Sequence, residues 1–202
     1  MVDVLRERIL AGELRHGERL TEERLARELA VSRGPIRAAL QRLEHEQLVV
    51  LKPYCGWEVA RPNEQDAWEL STLRCGLEEL GCRLAAAAMT AEGVVRLHKA
   101  RRRLETISKG DSRSTLTEAD FALHRLIIEL SGNRRLQDAY LLLEQQIRFL
   151  IAAVNAPFCP RAIARSHDPI IEVLSRGEGG AAAAACREHH GLSVARDPPG
   201  QR

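Results

Sequence analysis

Strand-forming sequence is confined to one short stretch of this chain, and that restriction limits the available folds more than any other feature. Leu48-Val49-Val50-Leu51-Lys52 and Trp57-Glu58-Val59-Ala60 are brief apolar runs joined by Pro53-Tyr54-Cys55-Gly56, so they predict a small hairpin around a Gly-containing turn. Elsewhere the chain is rich in Leu, Ala, Arg and Glu and only 3% aromatic, a composition that favours helix. A mostly α protein with one hairpin is expected. Its 202 residues suffice for one domain or two small ones. With 45% hydrophobic and 29% charged residues, the chain is neither a disordered tail nor a collagen-like fibre nor a disulfide-stapled miniature.

Punctuation residues divide the helical sequence. Before the hairpin we read Val2 to about Ala11, closed by Gly12; about Glu22 to Ala30, opened by Thr21; and Arg33 to about Gln47, opened by Ser32. Pro35 falls in the first turn of that third helix, where its missing N–H costs nothing. Arg61-Pro62-Asn63 reads as a hinge, and everything beyond it as helix. The expected segments are 64–89, 91–108, a polar break at 109–114, a helix to Leu130 opened by the box Thr115-Leu-Thr-Glu118, and a corner at Ser131-Gly132-Asn133. Then come 134–154, a loop through Pro157 and Pro160, 161–175 and 180–190, with Pro198-Pro199-Gly200-Gln201-Arg202 as a frayed end. This organisation predicts domains at 1–61 and 62–192 and a tail at 193–202.

No apolar run approaches the length of a membrane span, and the start MVDVLRERIL is charged where a signal peptide would be apolar. The expectation is a cytoplasmic protein with no membrane partner. The five cysteines form no C-x-x-C pair and are expected as reduced thiols, with Cys75 and Cys82 on one helical face as small core residues. Thirty basic against 28 acidic residues leaves a net charge of only +2. Any basic surface must therefore be local.

The third helix supplies such a surface. Ile36, Ala39, Leu40, Leu43 and Gln47 fall on one stripe, and Arg37, Gln41, Arg42 and His45 on the other, so one face packs and one is offered. Arg33 lies in the first turn, the part of a recognition helix that meets base edges, and a guanidinium can bond guanine O6 and N7 together. Thr21 and Ser32 place hydroxyls at helix N-termini, which favour phosphate. Arginines at this spacing also occur on plain solvated helices; the order helix, helix, short turn, helix, hairpin is that of a winged helix-turn-helix. Ile9 to Leu14, Gly17-Glu18-Arg19-Leu20, Leu25-Ala26, Val31 to Leu40, Leu43-Glu44 and Gly56 resemble the GntR-type bacterial transcription regulators over about the first 60 residues. The resemblance implies that Arg33 and Arg37 read or clamp double-stranded operator DNA. It also implies that Thr21 and Ser32 hold phosphates, that Gly34 and Pro35 belong to the same DNA-facing turn, and that Gly56 forms the wing turn. Gly34 and Cys55 depart from the family, which usually carries a small polar residue and an Arg at these places.

A second constellation lies beyond the hinge. Asp120 and His124 stand four apart on one helical face, a pairing common on solvated helices; His167 opens another helix, and His189 lies in the last. Three imidazoles and a carboxylate from three helices of one bundle suit a divalent transition metal, zinc first and nickel or manganese next, better than calcium. His190 is about 100° from His189 on a helix, so only one of them is expected inward. Residues 64–192 resemble the FCD ligand-binding domain of the FadR-like branch. The marks are Leu73-Arg74, Leu77-Glu78, Arg83-Leu84-Ala85, the Asp120/His124 pair, Ser131-Gly132-Asn133 with Leu136, the His167 helix and a final His at 189; Ser166 and Gly179-Gly180 depart from it. The resemblance implies a homodimer whose bundle holds a metal on Asp120, His124, His167 and His189. It further implies a small carboxylate effector beside the metal, with Arg74 and Arg148 as clamps.

The expected function is ligand-responsive transcription regulation. The alternatives are a metal-dependent enzyme using the same Asp and His residues, or a regulator sensing the metal itself. Ser166-His167-Asp168 cannot be a triad, because adjacent helical side chains point apart. The basic run from Arg96 to Arg103 reads as a solvated face.

Overall fold

The computed structural model describes residues 1–61, 63–108, 111–155 and 159–191. The expected frayed tail, Pro62 of the hinge, Lys109 of the polar break and Pro157 of the later loop lie outside the described residues. The chain forms two compact units, Met1–Pro62 and Asn63–Arg202.

The first unit holds α1 (Val2–Leu10), β1 (Arg19–Leu20), α2 (Glu22–Glu28), α3 (Arg33–His45), β2 (Val49–Lys52) and β3 (Gly56–Val59). The antiparallel strands order as β1-β3-β2, with Leu51 opposite Trp57 and Leu20 also paired to Trp57. β1 is absent from the sequence reading because two residues are too short to show a period. Leu5, Ile9, Leu25, Ile36, Leu40, Leu43, Leu48 and Val59 close the core beneath the sheet. The stripe on α3 holds as read except for Gln47, which is exposed beyond the helix end at φ +61. At the wing, Gly56 has φ +83, a conformation in which a side chain would be strained, and Tyr54 beside it is fully exposed at φ +62.

The second unit is all helical: α4 (Glu64–Ala87), α5 (Ala91–Thr106), α6 (Arg113–Leu130), α7 (Arg134–Leu142), α8 (Glu144–Asn155), α9 (Pro160–Ser166), α10 (Asp168–Ser175) and α11 (Gly179–His189). α4 is the central helix, packed against α6 and α11. Asn63 opens it through a reciprocal capping box with Asp66. Three expectations need correction. α6 begins at Arg113 under a Ser112 cap, whose hydroxyl accepts from Thr115 N–H at 3.2 Å, so the Thr115 box lies inside the helix. The expected 134–154 helix breaks at Leu143, and no residue there explains it. The expected 161–175 helix breaks at His167, because Pro169 in the first turn of α10 has no N–H to continue the α9 ladder. Gly179, unusual in a helix, lets the start of α11 approach α4: a Cβ there would lie 3.0 Å from the Arg83 carbonyl oxygen.

Candidate functional site

Each unit carries one set of residues singled out by the sequence. In the first, Thr21, Ser32, Arg33, Gly34, Pro35 and Arg37 are all exposed around the N-termini of α2 and α3. Thr21 caps α2 by accepting from Arg24 N–H at 3.3 Å, and its hydroxyl proton stays available to an acceptor. Ser32 precedes α3 without a side-chain cap bond, and a Cβ on Gly34 would meet nothing within 4 Å. Arg37 donates two bonds of 2.8 Å to Glu22, and Arg33 lies 3.6 Å from Glu23. The bond from Arg37 holds the Glu22 carboxyl below its usual range. These arginines thus face water already provided with carboxylates.

In the second unit, His124 from α6, His167 between α9 and α10, and His189 from α11 bring ligand atoms within 4.8 Å of one another. Nε2 of His124 and Nε2 of His167 are 3.1 Å apart. The break at His167 explains part of this. α9 ends there, so its last carbonyls lack helical partners. The Ile163 carbonyl accepts from His167 Nδ1 at 2.8 Å, and the Ser166 carbonyl from His189 Nδ1 at 3.2 Å. In the neutral rings those bonds commit the proton to Nδ1 and leave Nε2 as a lone pair. Asp120 Oδ1 lies 3.2 Å from His167 Nε2 and is buried without a hydrogen bond, while Asn155 holds Oδ2 at 3.0 Å.

The electrostatics agree with that geometry. Burial pushes the Asp120 carboxyl upward, but its basic neighbours His167, His124 and Arg74 outweigh it and hold the carboxyl well below its usual range. Burial lowers His124 to about 4 and drives His189 well below its usual value, so both rings are neutral near pH 7. An ionised carboxylate oxygen and imidazole lone pairs meeting in the interior are a set of acceptors without a donor. These residues therefore fit a cation, and nitrogens 3.1 Å apart match two ligands at about 2.0–2.1 Å from one zinc ion.

Other residues surround this group. Arg74 is buried and donates from Nε to Glu78 Oε1 at 2.7 Å, while its Nη2 has no hydrogen-bond partner among the described residues. Arg148 is held by Glu118 and, at 3.6 Å, by Glu144. His190 also points inward, 2.8 Å from Glu78 Oε2, which corrects the expectation that only one of His189 and His190 would do so. α11 ends at His189, and His190 as its cap turns its ring toward α4. Burial would lower His190, but the Glu78 charge outweighs it and raises the ring to about 9. Tyr140 and Asn155 went unnoticed in the sequence, and Glu78 entered it only as a mark of the FCD resemblance, with no role at the site. Glu78 had a signal, since it shares the buried face of α4 with Cys75 and Cys82.

Taken together, the fold and these surfaces define a winged helix-turn-helix protein with an all-helical second unit. Residues 1–59 match the bacterial regulatory proteins, gntR family, and residues 69–191 match the FCD domain. The chain belongs to the gntR family of transcription regulators, in the group that carries an FCD domain. It is 27% identical over 183 residues to a probable D-xylose utilization operon transcriptional repressor of Paenarthrobacter nicotinovorans, covering 90% of this chain and 80% of that one. It is also 27% identical over 174 residues to the uncharacterized HTH-type transcriptional regulator YdhC of Bacillus subtilis, covering 85% and 78%. The crystal structure of a putative transcriptional regulator GntR from Rhodococcus sp. RHA1 shares the fold, with a TM-score of 0.73 at 23% identity over 94% of this chain and 91% of that one. These relatives are transcription regulators and not enzymes, which sets aside the enzyme alternative. Among the described residues no single helix is long and apolar enough to cross a membrane.

Proposed function

We propose that the protein is a homodimeric, cytoplasmic regulator that binds operator DNA through residues 1–61 and senses a small carboxylate through residues 62–192, with 193–202 as a tail. Arg33 and Arg37 read base edges, Thr21 and Ser32 hold phosphates, and the Gly34-Pro35 turn and the Gly56 wing lie against the duplex. Asp120, His124, His167 and His189 hold a divalent transition metal, zinc before nickel or manganese. When bound, the ion supplies a fixed positive charge that attracts an anion. Arg74 gives the effector carboxylate a second anchor, and Arg148 a further one once it leaves Glu118.

One observation carries this reading. The unbonded Asp120 Oδ1 and the imidazole lone pairs ask for a cation, while the unbonded Arg74 Nη2 in the same core asks for an anion. A metal-bound carboxylate answers both. The test is metal content and calorimetry on the purified protein, with citrate, malate, lactate and pyruvate as probes. The reading expects one ion per chain and an acid whose binding fails in Arg74→Gln and in stripped protein. Stoichiometric metal that alone alters operator affinity, with no acid bound, favours the metal-sensing alternative.

A further inference from the structure

Four polar side chains converge on the carboxylate of Glu78, which is 2% exposed. Oε1 accepts from Arg74 Nε at 2.7 Å and from the Tyr140 hydroxyl at 2.6 Å. Oε2 lies 2.8 Å from His190 Nε2 and 2.7 Å from His124 Nδ1. Burial alone would raise this carboxyl, and its basic neighbours, Arg74 foremost, outweigh it. The hub thus joins four helices or their ends: α4, α6, α7 and the cap of α11.

His124 differs from its neighbours in what orients it. His167 and His189 lean on carbonyls freed where α9 ends, but His124 sits in the middle of α6, where backbone carbonyls are spent on the helix itself. Its Nδ1 has no hydrogen-bond partner of straight geometry, and Glu78 Oε2, close but off the line of the ring N–H, is the acceptor beside it. Without an acceptor there the ring can carry its proton on Nε2 and turn an N–H toward the ion.

We infer that Glu78 is a positioning residue: one oxygen takes the Nδ1 proton of His124 so that Nε2 is offered to an ion, and the other holds Arg74, so a single carboxylate sets both the cation ligand and the anion clamp. The inference rests on the metal reading above. Glu78, Cys186 and His190 also bring ligand atoms within 4.8 Å of one another. A second ion is not needed to explain that group, because Arg74 and His190 already balance Glu78, and the guanidinium opposes another cation at that carboxylate.

The test uses the full-length protein, metal-free, titrated with zinc(II) and cobalt(II). Glu78→Gln is expected to weaken both ions by roughly 10- to 100-fold, the usual loss when a partner behind a metal ligand is removed, and to change the cobalt absorption spectrum. Tyr140→Phe removes a bond from Oε1 alone and should lower thermal stability at unchanged metal affinity. A histidine proton–nitrogen NMR spectrum of the zinc-loaded parent, which needs no variant, should find His124 protonated on Nδ1. Parental affinity in Glu78→Gln, equal losses in Glu78→Gln and Tyr140→Phe, or a His124 proton on Nε2 would overturn the role of Glu78 while leaving the metal site standing. A parent that takes up neither ion overturns both.

Discussion

The two units carry their polar chemistry in opposite ways. In Met1–Pro62 the arginines of interest project from exposed helix turns and rest on Glu22 and Glu23 at the edge of water. In the helical unit Arg74, Glu78, Asp120, His124 and His167 lie inside the core, none more than 5% exposed. Exposed ion pairs are worth little and exchange readily for other partners, phosphate included. Buried charges are tolerated only when every member of the set is compensated. The first arrangement suits a surface that trades counter-charges for a long polyanion. The second suits an interior that holds one small ligand with tight geometric demands. Substitutions should accordingly alter binding without folding in the first unit, and both together in the second.

The largest effect should come from His124→Ala combined with His167→Ala. Losing both imidazoles should abolish stoichiometric metal content and the stabilisation that zinc gives to thermal unfolding. Full metal retention would break the comparison at its buried end. Next, Arg33→Ala and Arg37→Ala should each weaken operator binding by about 1–3 kcal/mol at fixed salt, with unfolding unchanged. Loss of folding in either would show that these side chains are not simply offered to a partner.

A smaller effect separates two histidines in metal-free protein. His124, at about 4 when folded, binds its proton less readily than an unfolded His near 6.5. Its contribution to stability is therefore complete above pH 6.5 and is lost as pH falls through 4. His190, raised to about 9, behaves oppositely: its contribution is complete below 6.5 and is lost as pH rises through 9. Thermal unfolding against pH should lose that alkaline decline in His190→Gln. An unchanged alkaline limb would remove the Glu78 pairing as its cause. The smallest effect is expected for Arg176→Ala, whose partner Glu172 is also well exposed. A change within about 0.5 kcal/mol would show that burial, not membership of the helical unit, governs the difference.

The same contrast explains what could be read from the sequence. Ser32, Arg33, Arg37 and the Ile36-Ala39-Leu40-Leu43 stripe lie within one helix and its cap, so local periodicity and capping chemistry were enough to locate the offered face. The hairpin was legible from Leu48 to Ala60 for the same reason, while the two-residue strand at Arg19 was not. Asp120 and His124 were a local pair, but bringing in His167 and His189 required the family resemblance, because nothing within a single helix relates them. Glu78 stood in the sequence only as a family mark beside Leu77, and its role did not show. Arg74 is a local partner four residues away, but the other three lie at positions 124, 140 and 190, and only a packed core brings those in. The inward ring of His190 escaped because a wheel treats one direction as inward, whereas His190, still helical at φ −75 and ψ −2, reaches Glu78 on α4 from about 100° around the axis from His189.

If the buried cluster governs what the exposed arginines do, filling it must change operator affinity. The measurement is operator affinity with and without a bound carboxylate, in metal-loaded, metal-stripped and Asp120→Ala protein. A change of roughly 5- to 150-fold is expected in the loaded protein alone, since a ligand shifts an equilibrium only by its unequal affinity for the two states. An acid that binds the loaded protein tightly and leaves operator affinity unchanged, or one whose effect survives removal of the metal, would contradict it.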